Sequence, residues 1–184
     1  MSSVTTKTGD KGTTDGPNGL RVPKNDPFIA LVGALDEVNA QLGVACAYID
    51  EEGLDTDIYD SGAKNAGAWI EWMQHRLLDL GAELYTGQTY ITNEEVELLE
   101  KCIADFEENP GGFIIPKGKA SCALHLAKAM VRRAEREGVA GQNPTNNITQ
   151  EIVKFLNRMS DALYILALTV ERKPHIMWVS NKKK

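Results

Sequence analysis

The sequence predicts an all-α protein: a five-helix antiparallel bundle preceded by a non-helical, Gly/Thr-rich N-terminal segment. Three observations carry that prediction. Five stretches repeat apolar residues every three or four positions, no stretch of comparable length alternates with period two, and most connections between them are short. A chain of 184 residues, 42% hydrophobic and 25% charged, is large enough to fold around one core without staples. The expected organisation is a single domain over 1–184, with a loop over 1–25 and a bundle over 26–172.

The first helix is expected to start at Asp26-Pro27, a cap followed by a first-turn proline, and to run through Ile29, Val32, Leu35, Val38 and Leu42. The second carries Ile70, Met73, Leu77, Leu80 and Leu84, a single narrow apolar seam. The third opens on the clearest local signal in the chain. Thr92-Asn93-Glu94-Glu95 forms a capping box, with Ile91 and Val96 at the two staple positions. Its body, through Leu99, Cys102, Ile103 and Phe106, should stop before Asn109-Pro110-Gly111-Gly112. A fourth helix is expected over Ala120–Gly138. A fifth is expected from about Thr145 to Glu171, repeating Ile152, Leu156, Met159, Leu163, Leu166 and Val170.

Composition narrows the function classes. Twenty Lys and Arg against 26 Asp and Glu leave a net charge of −6, which argues against a dedicated nucleic-acid binder. Cys46, Cys102 and Cys122 are odd in number and far apart, so no disulfide scaffold is expected. His75, His125 and His175 share no zinc-like spacing with them. The apolar run Leu163–Val170 is too short to span a bilayer, and Met1–Lys7 lacks an apolar signal core. A soluble, cytoplasmic protein without nucleic-acid or membrane partners is the expectation. A di-metal site of the ferritin type would need a Glu-x-x-His motif on each of two helices. Glu71 and His75 are spaced by four and have no twin, so that reading is discarded.

Three polar clusters could carry chemistry. Thr5–Thr14 mixes glycines, hydroxyls and lysines, the combination that lets a backbone turn its N–H groups toward an anion. It is not a Walker loop, and alone it reads as an ordinary polar N-terminal loop, as Lys24 alone reads as a solvated lysine. Lys128, Arg132 and Arg136 stack along one helix face, with Arg133 and Glu135 between them. Alone they read as a solvated charged face; as a group they would suit an Arg clamp on phosphate oxygens. Asn157, Arg158, Ser160 and Asp161 interrupt an otherwise apolar helix, and a structural network or a ligand site explains them equally well.

Taken together and in order, these clusters resemble the PduO-type ATP:cob(I)alamin adenosyltransferase family. The matching strings begin with Thr6-Lys7-Thr8-Gly9-Asp10-Lys11-Gly12-Thr13-Thr14, Arg21-Val22-Pro23-Lys24 and Gly33-Ala34-Leu35-Asp36-Glu37-Val38-Asn39. Leu77–Leu84, Phe113-Ile114-Ile115-Pro116 and Ala123-Leu124-His125 follow, then Arg132-Arg133-Ala134-Glu135-Arg136 and Asn157-Arg158-Met159-Ser160-Asp161. The resemblance implies a homotrimer with sites between subunits, and transfer of the 5′-deoxyadenosyl group of ATP to the cobalt of a corrinoid. It implies that Thr6, Lys7, Thr8, Gly9, Thr14 and Lys24 hold ATP from one subunit. Arg132, Arg133, Glu135, Arg136 and Asn157 would complete the site, with Mg²⁺ on the phosphates and a reductase supplying electrons. Phe113 would pack against the corrin and displace its lower axial base, with Tyr164 as a second aromatic.

The implied chemistry suits the inventory, because Co(I) is itself the nucleophile and needs no activated Ser, Cys or His. Two departures stand out. The Pro116-Lys117-Gly118-Lys119 run is one residue shorter than in many members, and Lys128 stands where the family usually has an arginine paired with the aspartate matching Asp36. Asp36, Lys128 and Arg132 are therefore the expected catalytic group. A noncatalytic ATP- or corrinoid-binding relative, acting in delivery or sensing, is the alternative reading, and a plain helical interaction bundle is a third.

Overall fold

The computed structural model describes residues 5–54, 65–106, 111–143, 146–171, 174 and 176–179. Among them are five α-helices: α1 (Pro27–Glu52), α2 (Ala66–Thr86), α3 (Asn93–Phe106), α4 (Lys119–Gly141) and α5 (Gln150–Thr169). In the bundle α1 packs on α2 and α4, while α5 packs on α3 and α4.

The starts follow the predicted chemistry. Asp26 caps α1 by accepting from Phe28 N–H at 2.9 Å, with Pro27 in the first turn. At α3, Thr92 Oγ1 accepts from Glu94 N–H at 3.1 Å and Glu95 Oε2 returns to Thr92 N–H at 2.8 Å. Ile91 and Val96 are both buried beneath that box, closing the staple. The seam of α2 lies wholly in the core. On α1 the buried line is Phe28, Leu31, Leu35, Val38, Leu42, Ala45 and Ile49, so Ile29 and Val32 are only partly covered. A strict alternation of three and four residues keeps one stripe facing inward, and Phe28 and Leu31 fall on it where Ile29 and Val32 do not. Length and composition alone would let α1 cross a bilayer, but this stripe closes the bundle core.

Three boundaries differ from expectation by more than one residue. Helix α4 runs past Gly138 to Gly141, because both glycines face neighbouring packing and act as neither stop nor cap. A Cβ on Gly141 would lie 3.0 Å from Ile148 Cδ1, a close approach that would make the Ile148 side chain shift. Helix α5 begins at Gln150, since Thr149 caps it by accepting from Ile152 N–H at 3.3 Å; Thr145, its expected start, lies outside the described residues. It ends at Thr169, two residues before the expected Glu171. Glu171 Oε2 instead accepts from the N–H groups of Lys117 (2.9 Å) and Gly118 (2.8 Å), placing a carboxylate at the start of α4, where the capping residue Gly118 has no side chain.

Two short antiparallel ribbons add to the helices. Strand β1 (Thr13–Asp15) pairs with β2 (Arg21–Pro23), and β3 (Ile114–Ile115) pairs with β4 (Ile176–Met177). Strands of two or three residues are too short to show period-two alternation, so the sequence carried no sign of them.

Candidate functional site

Two polar regions form, and they are separate. The first is the N-terminal arm built on β1 and β2. Its loop turns at Lys7 (φ 58°) and Gly12 (φ 80°), and the hydroxyls of Thr6 and Thr8 lie 2.9 Å apart. Lys24 docks through its N–H on Gly12 O at 2.9 Å. Its Nζ lies 3.1 Å from where a Cβ on Gly9 would stand, so a side chain there would crowd the amine. Thr14 sits opposite Val22 in the ribbon. Arg21 reaches across the arm, Nη2 donating to Thr8 O (2.7 Å), Thr13 O (2.9 Å) and Thr13 Oγ1 (3.0 Å), and Nη1 to Asp15 Oδ1 (2.8 Å). The resulting groove, of about 610 Å³, is lined by Lys7, Thr8, Asp10, Lys11, Asp15 and Arg21. Asp36 is exposed on α1 on this side of the molecule: together with burial, which dominates, Asp36 and Asp15 raise the pKa of Tyr85.

The second region is a cleft of about 480 Å³ between α4, α5 and the segment before β3. Lys128, Arg132, His125, Asp161, Tyr164 and Phe113 line it together with Gly112, Ile114 and Ser160. Lys128 Nζ stands 4.9 Å over the ring of Tyr164, and His125 packs edge-on against that ring at 5.7 Å. Burial lowers the pKa of Lys128, and the positive charge of Arg132 lowers it further. Burial, and then Lys128, depresses the His125 imidazole to about 4, so it is neutral at physiological pH. The cleft thus gathers two cations beside a neutral imidazole, on aromatic and aliphatic walls.

Arg132 also faces a neighbouring groove of about 420 Å³, shared with Glu135 and Arg136. Arg136 Nη1 donates to Arg132 O at 2.9 Å, and Asn157 Nδ2 donates to Glu135 Oε1 at 3.0 Å, joining α5 to the charged face of α4. Arg133 points elsewhere and pairs with Glu37 on α1. The predicted α5 cluster therefore divides: Asn157 serves α4, whereas Arg158 turns to Glu100 on α3 (2.9 Å) and to Asp161 (3.2 Å).

Phe113 is not a core residue. It is 78% exposed, meets Trp178 edge-on at 6.4 Å, and accepts from Trp178 N–H through its carbonyl at 2.8 Å. Ile115, Ile176 and Met177 of the same ribbon and Val179 after it are exposed as well, so an apolar rim adjoins Phe113, which itself lines the cleft. Trp178 carried no signal in the sequence, because only the β3–β4 pairing brings it to Phe113. His125 carried no site signal in the sequence beyond its place in a matching string, and its position beside Tyr164 depends on the packing of α4 on α5.

No residue of the N-terminal arm lines the cleft, and no cleft residue lines the arm's groove. Among the described residues, no group of three His, Cys, Asp or Glu is placed to hold a metal ion.

The sequence profile described as cobalamin adenosyltransferase matches residues 4–170. The chain is 35% identical to the corrinoid adenosyltransferase PduO of Salmonella typhimurium, over 94% of this chain and 51% of that protein. It therefore spans about half the length of that relative. It is 33% identical to the corrinoid adenosyltransferase of Citrobacter freundii over 96% of this chain and 99% of that one. Among solved structures it resembles a PduO-type ATP:corrinoid adenosyltransferase variant from Lactobacillus reuteri complexed with cobalamin and ATP. The TM-score is 0.79 and the identity 26%, covering 96% of each chain. An ATP complex of another variant from the same organism gives a TM-score of 0.78 at 28% identity, covering 96% of this chain and all of that one.

Proposed function

The chain belongs to the cobalamin adenosyltransferase family, and on that premise we propose that it transfers the 5′-deoxyadenosyl group of ATP to the cobalt of a reduced corrinoid, yielding adenosylcobalamin and triphosphate. The observation that carries the proposal is the cleft itself, with Lys128 and Arg132 on one side and an exposed aromatic rim on the other. A polyanionic leaving group and a large, flat, largely apolar acceptor require those two surfaces side by side.

In this reaction the Co(I) electron pair forms the Co–C5′ bond while the C5′–O bond breaks, and the electron pair of that bond leaves with the triphosphate. The protein's work is alignment and charge neutralisation. Arg132 lies where both grooves meet and is assigned to the triphosphate, with Lys128 beside it. Arg136, Glu135 and Asn157 are assigned to the nucleotide, with Arg133 bracing α4 against α1. Phe113 and Tyr164 form the corrin wall, and Phe113 is assigned to exclude the lower axial base. Mg²⁺ is assigned to the phosphates, where it would neutralise further charge.

The N-terminal arm over 1–25 is assigned to ATP as well, through Thr6, Lys7, Thr8, Gly9, Thr14 and Lys24, and the bundle over 26–172 to the rest. Because the arm and the cleft are separate within one chain, the complete site would lie between subunits, and a homotrimer is the proposed assembly. Lys128 stands over the Tyr164 ring within its own chain, and its pairing with Asp36 is assigned across that interface. A cytoplasmic location and an electron-supplying reductase complete the reading. Anaerobic incubation with ATP and chemically reduced cobalamin tests it: adenosylcobalamin should appear by its absorption change, and ATP binding without product would leave only a binding protein.

A further inference from the structure

We propose that Arg21 is a positioning residue for the nucleotide: its guanidinium fixes the loop from Thr8 to Thr13 in the shape that presents the arm's cations and hydroxyls to phosphate. The inference rests on the assignment of the arm to ATP. Arg21 does not offer a fork to a ligand. Both terminal nitrogens are engaged inside the arm, Nη2 on the carbonyls of Thr8 (2.7 Å) and Thr13 (2.9 Å), and Nη1 on Asp15 (2.8 Å). One nitrogen thus closes the two ends of a six-residue loop into a ring.

The inside of that ring has little to hold it otherwise. Its own backbone bonds, Asp10 N–H to Lys7 O at 3.4 Å and Gly12 N–H to Gly9 O at 3.2 Å, are long. Lys7 and Gly12 both occupy positive φ, a shape that a free chain visits rarely at Lys7. Lys24 follows from the same strand that carries Arg21, with its N–H on Gly12 O and its amine over Gly9. Arg21 and Lys24 therefore clamp the loop from one side, the arginine at its ends and the lysine at its middle. Without Arg21 the carbonyls of Thr8 and Thr13 turn to water and the loop samples many shapes. Binding then falls by the fraction of time that the competent shape is populated.

The experiment is steady-state kinetics on the full chain, varying ATP at saturating cob(I)alamin and then the reverse. Arg21→Met should raise the KM for ATP roughly ten- to hundredfold, while kcat at saturating ATP stays within about twofold and the KM for corrinoid is unchanged. Asp15→Asn, which removes only the anchor of Nη1, should give the same split on a smaller scale, and it keeps the test open if Arg21→Met folds poorly. Arg21→Lys keeps the charge but cannot bridge two carbonyls, so its KM should stay nearer to that of Arg21→Met than to the parent. Full rescue by lysine overturns the proposal, as does a fall in kcat at unchanged KM, which would mark a loss of folded enzyme or a direct role in the transition state. Lys24→Ala separates the two levels. If it raises the KM for ATP and Arg21→Met does not, the arm binds ATP and only the role of Arg21 fails. If neither variant moves that KM, the arm is not the nucleotide site and both readings fall.

Discussion

Arg132 and Phe113 are adjacent to one cleft but should fail in different ways when truncated. Arg132→Ala removes a planar cation from the place assigned to the triphosphate, so kcat should fall at least about a hundredfold, in the range of other lost electrostatic stabilisers. Its exposed position predicts little change in melting temperature, and near-parental turnover would end its assignment. Phe113→Ala removes a ring that is 78% exposed, so it should cost far less than the roughly 3–5 kcal/mol of a buried Phe, a difference readable by urea denaturation. Activity starting from Co(II)-corrinoid should fall more than activity from pre-reduced Co(I), because only the former depends on displacing the axial base. Equal defects would remove Phe113 from that role. His125 offers a third test. Burial and Lys128 hold its folded pKa near 4, below the ordinary 6.5, so the unfolded chain binds the extra proton between those values. Stability should therefore drop as pH falls from about 6.5 to 4, and His125→Phe should flatten part of that drop in denaturation curves.

At the level of the helices, what was legible in the sequence was whatever is local. Asp26-Pro27, the Thr92–Glu95 box and the α2 seam each depend on residues within one or two turns, and the structure realises all three. What stayed hidden depends on partners across a turn or loop, which helical periodicity and cap spacing do not reach. Glu83 reads as a polar residue in a helix, yet it is 2% exposed and its Oε2 accepts from Tyr90 and Ile91 N–H groups, both at 2.8 Å, tying the α2–α3 connection down. The same applies to Glu171 at the start of α4 and to Arg21 in the arm. The capping box makes a prediction of its own. Thr92→Ala should cost about 1 kcal/mol of stability in urea titrations, since it removes the acceptor for Glu94 N–H and the hydroxyl donor to Glu95. Burial pushes the Glu95 carboxyl upward, but the Thr92 hydroxyl and amide bonds outweigh it and leave the pKa lowered. The Glu95 part of the box is thus present above the usual carboxylate range and lost as pH falls below it, so the gap between parent and Thr92→Ala should narrow in acid to the part carried by the Glu94 N–H bond.

For the whole molecule, the decisive feature is the separation of arm and cleft. Individual clusters could be read from the sequence, but not which of them share a chain's own site, because that depends on how α1 and α4 present their outer faces. Val44 on α1 and Leu126 and Val139 on α4 are exposed apolar residues on the two helices that carry Asp36 and the cationic line. If a site is assembled from the arm of one subunit and the cleft of the next, two differently crippled chains should repair each other. Lys24→Ala damages only the arm and Arg132→Ala only the cleft, and each homo-oligomer should be nearly inactive. When the two are unfolded together and refolded as an equal mixture, an intact site forms wherever the arm of an Arg132→Ala chain meets the cleft of a Lys24→Ala chain. Random assembly of a head-to-tail ring puts that combination at about one junction in four, so about a quarter of the parental activity should return. A site built within a single chain predicts no recovery at any mixing ratio, because every chain then carries one damaged half. The same mixture also tests the ring itself. Recovery should disappear on dilution below the subunit dissociation constant, whereas activity that persists in a monomer by light scattering would place arm and cleft in one chain after all.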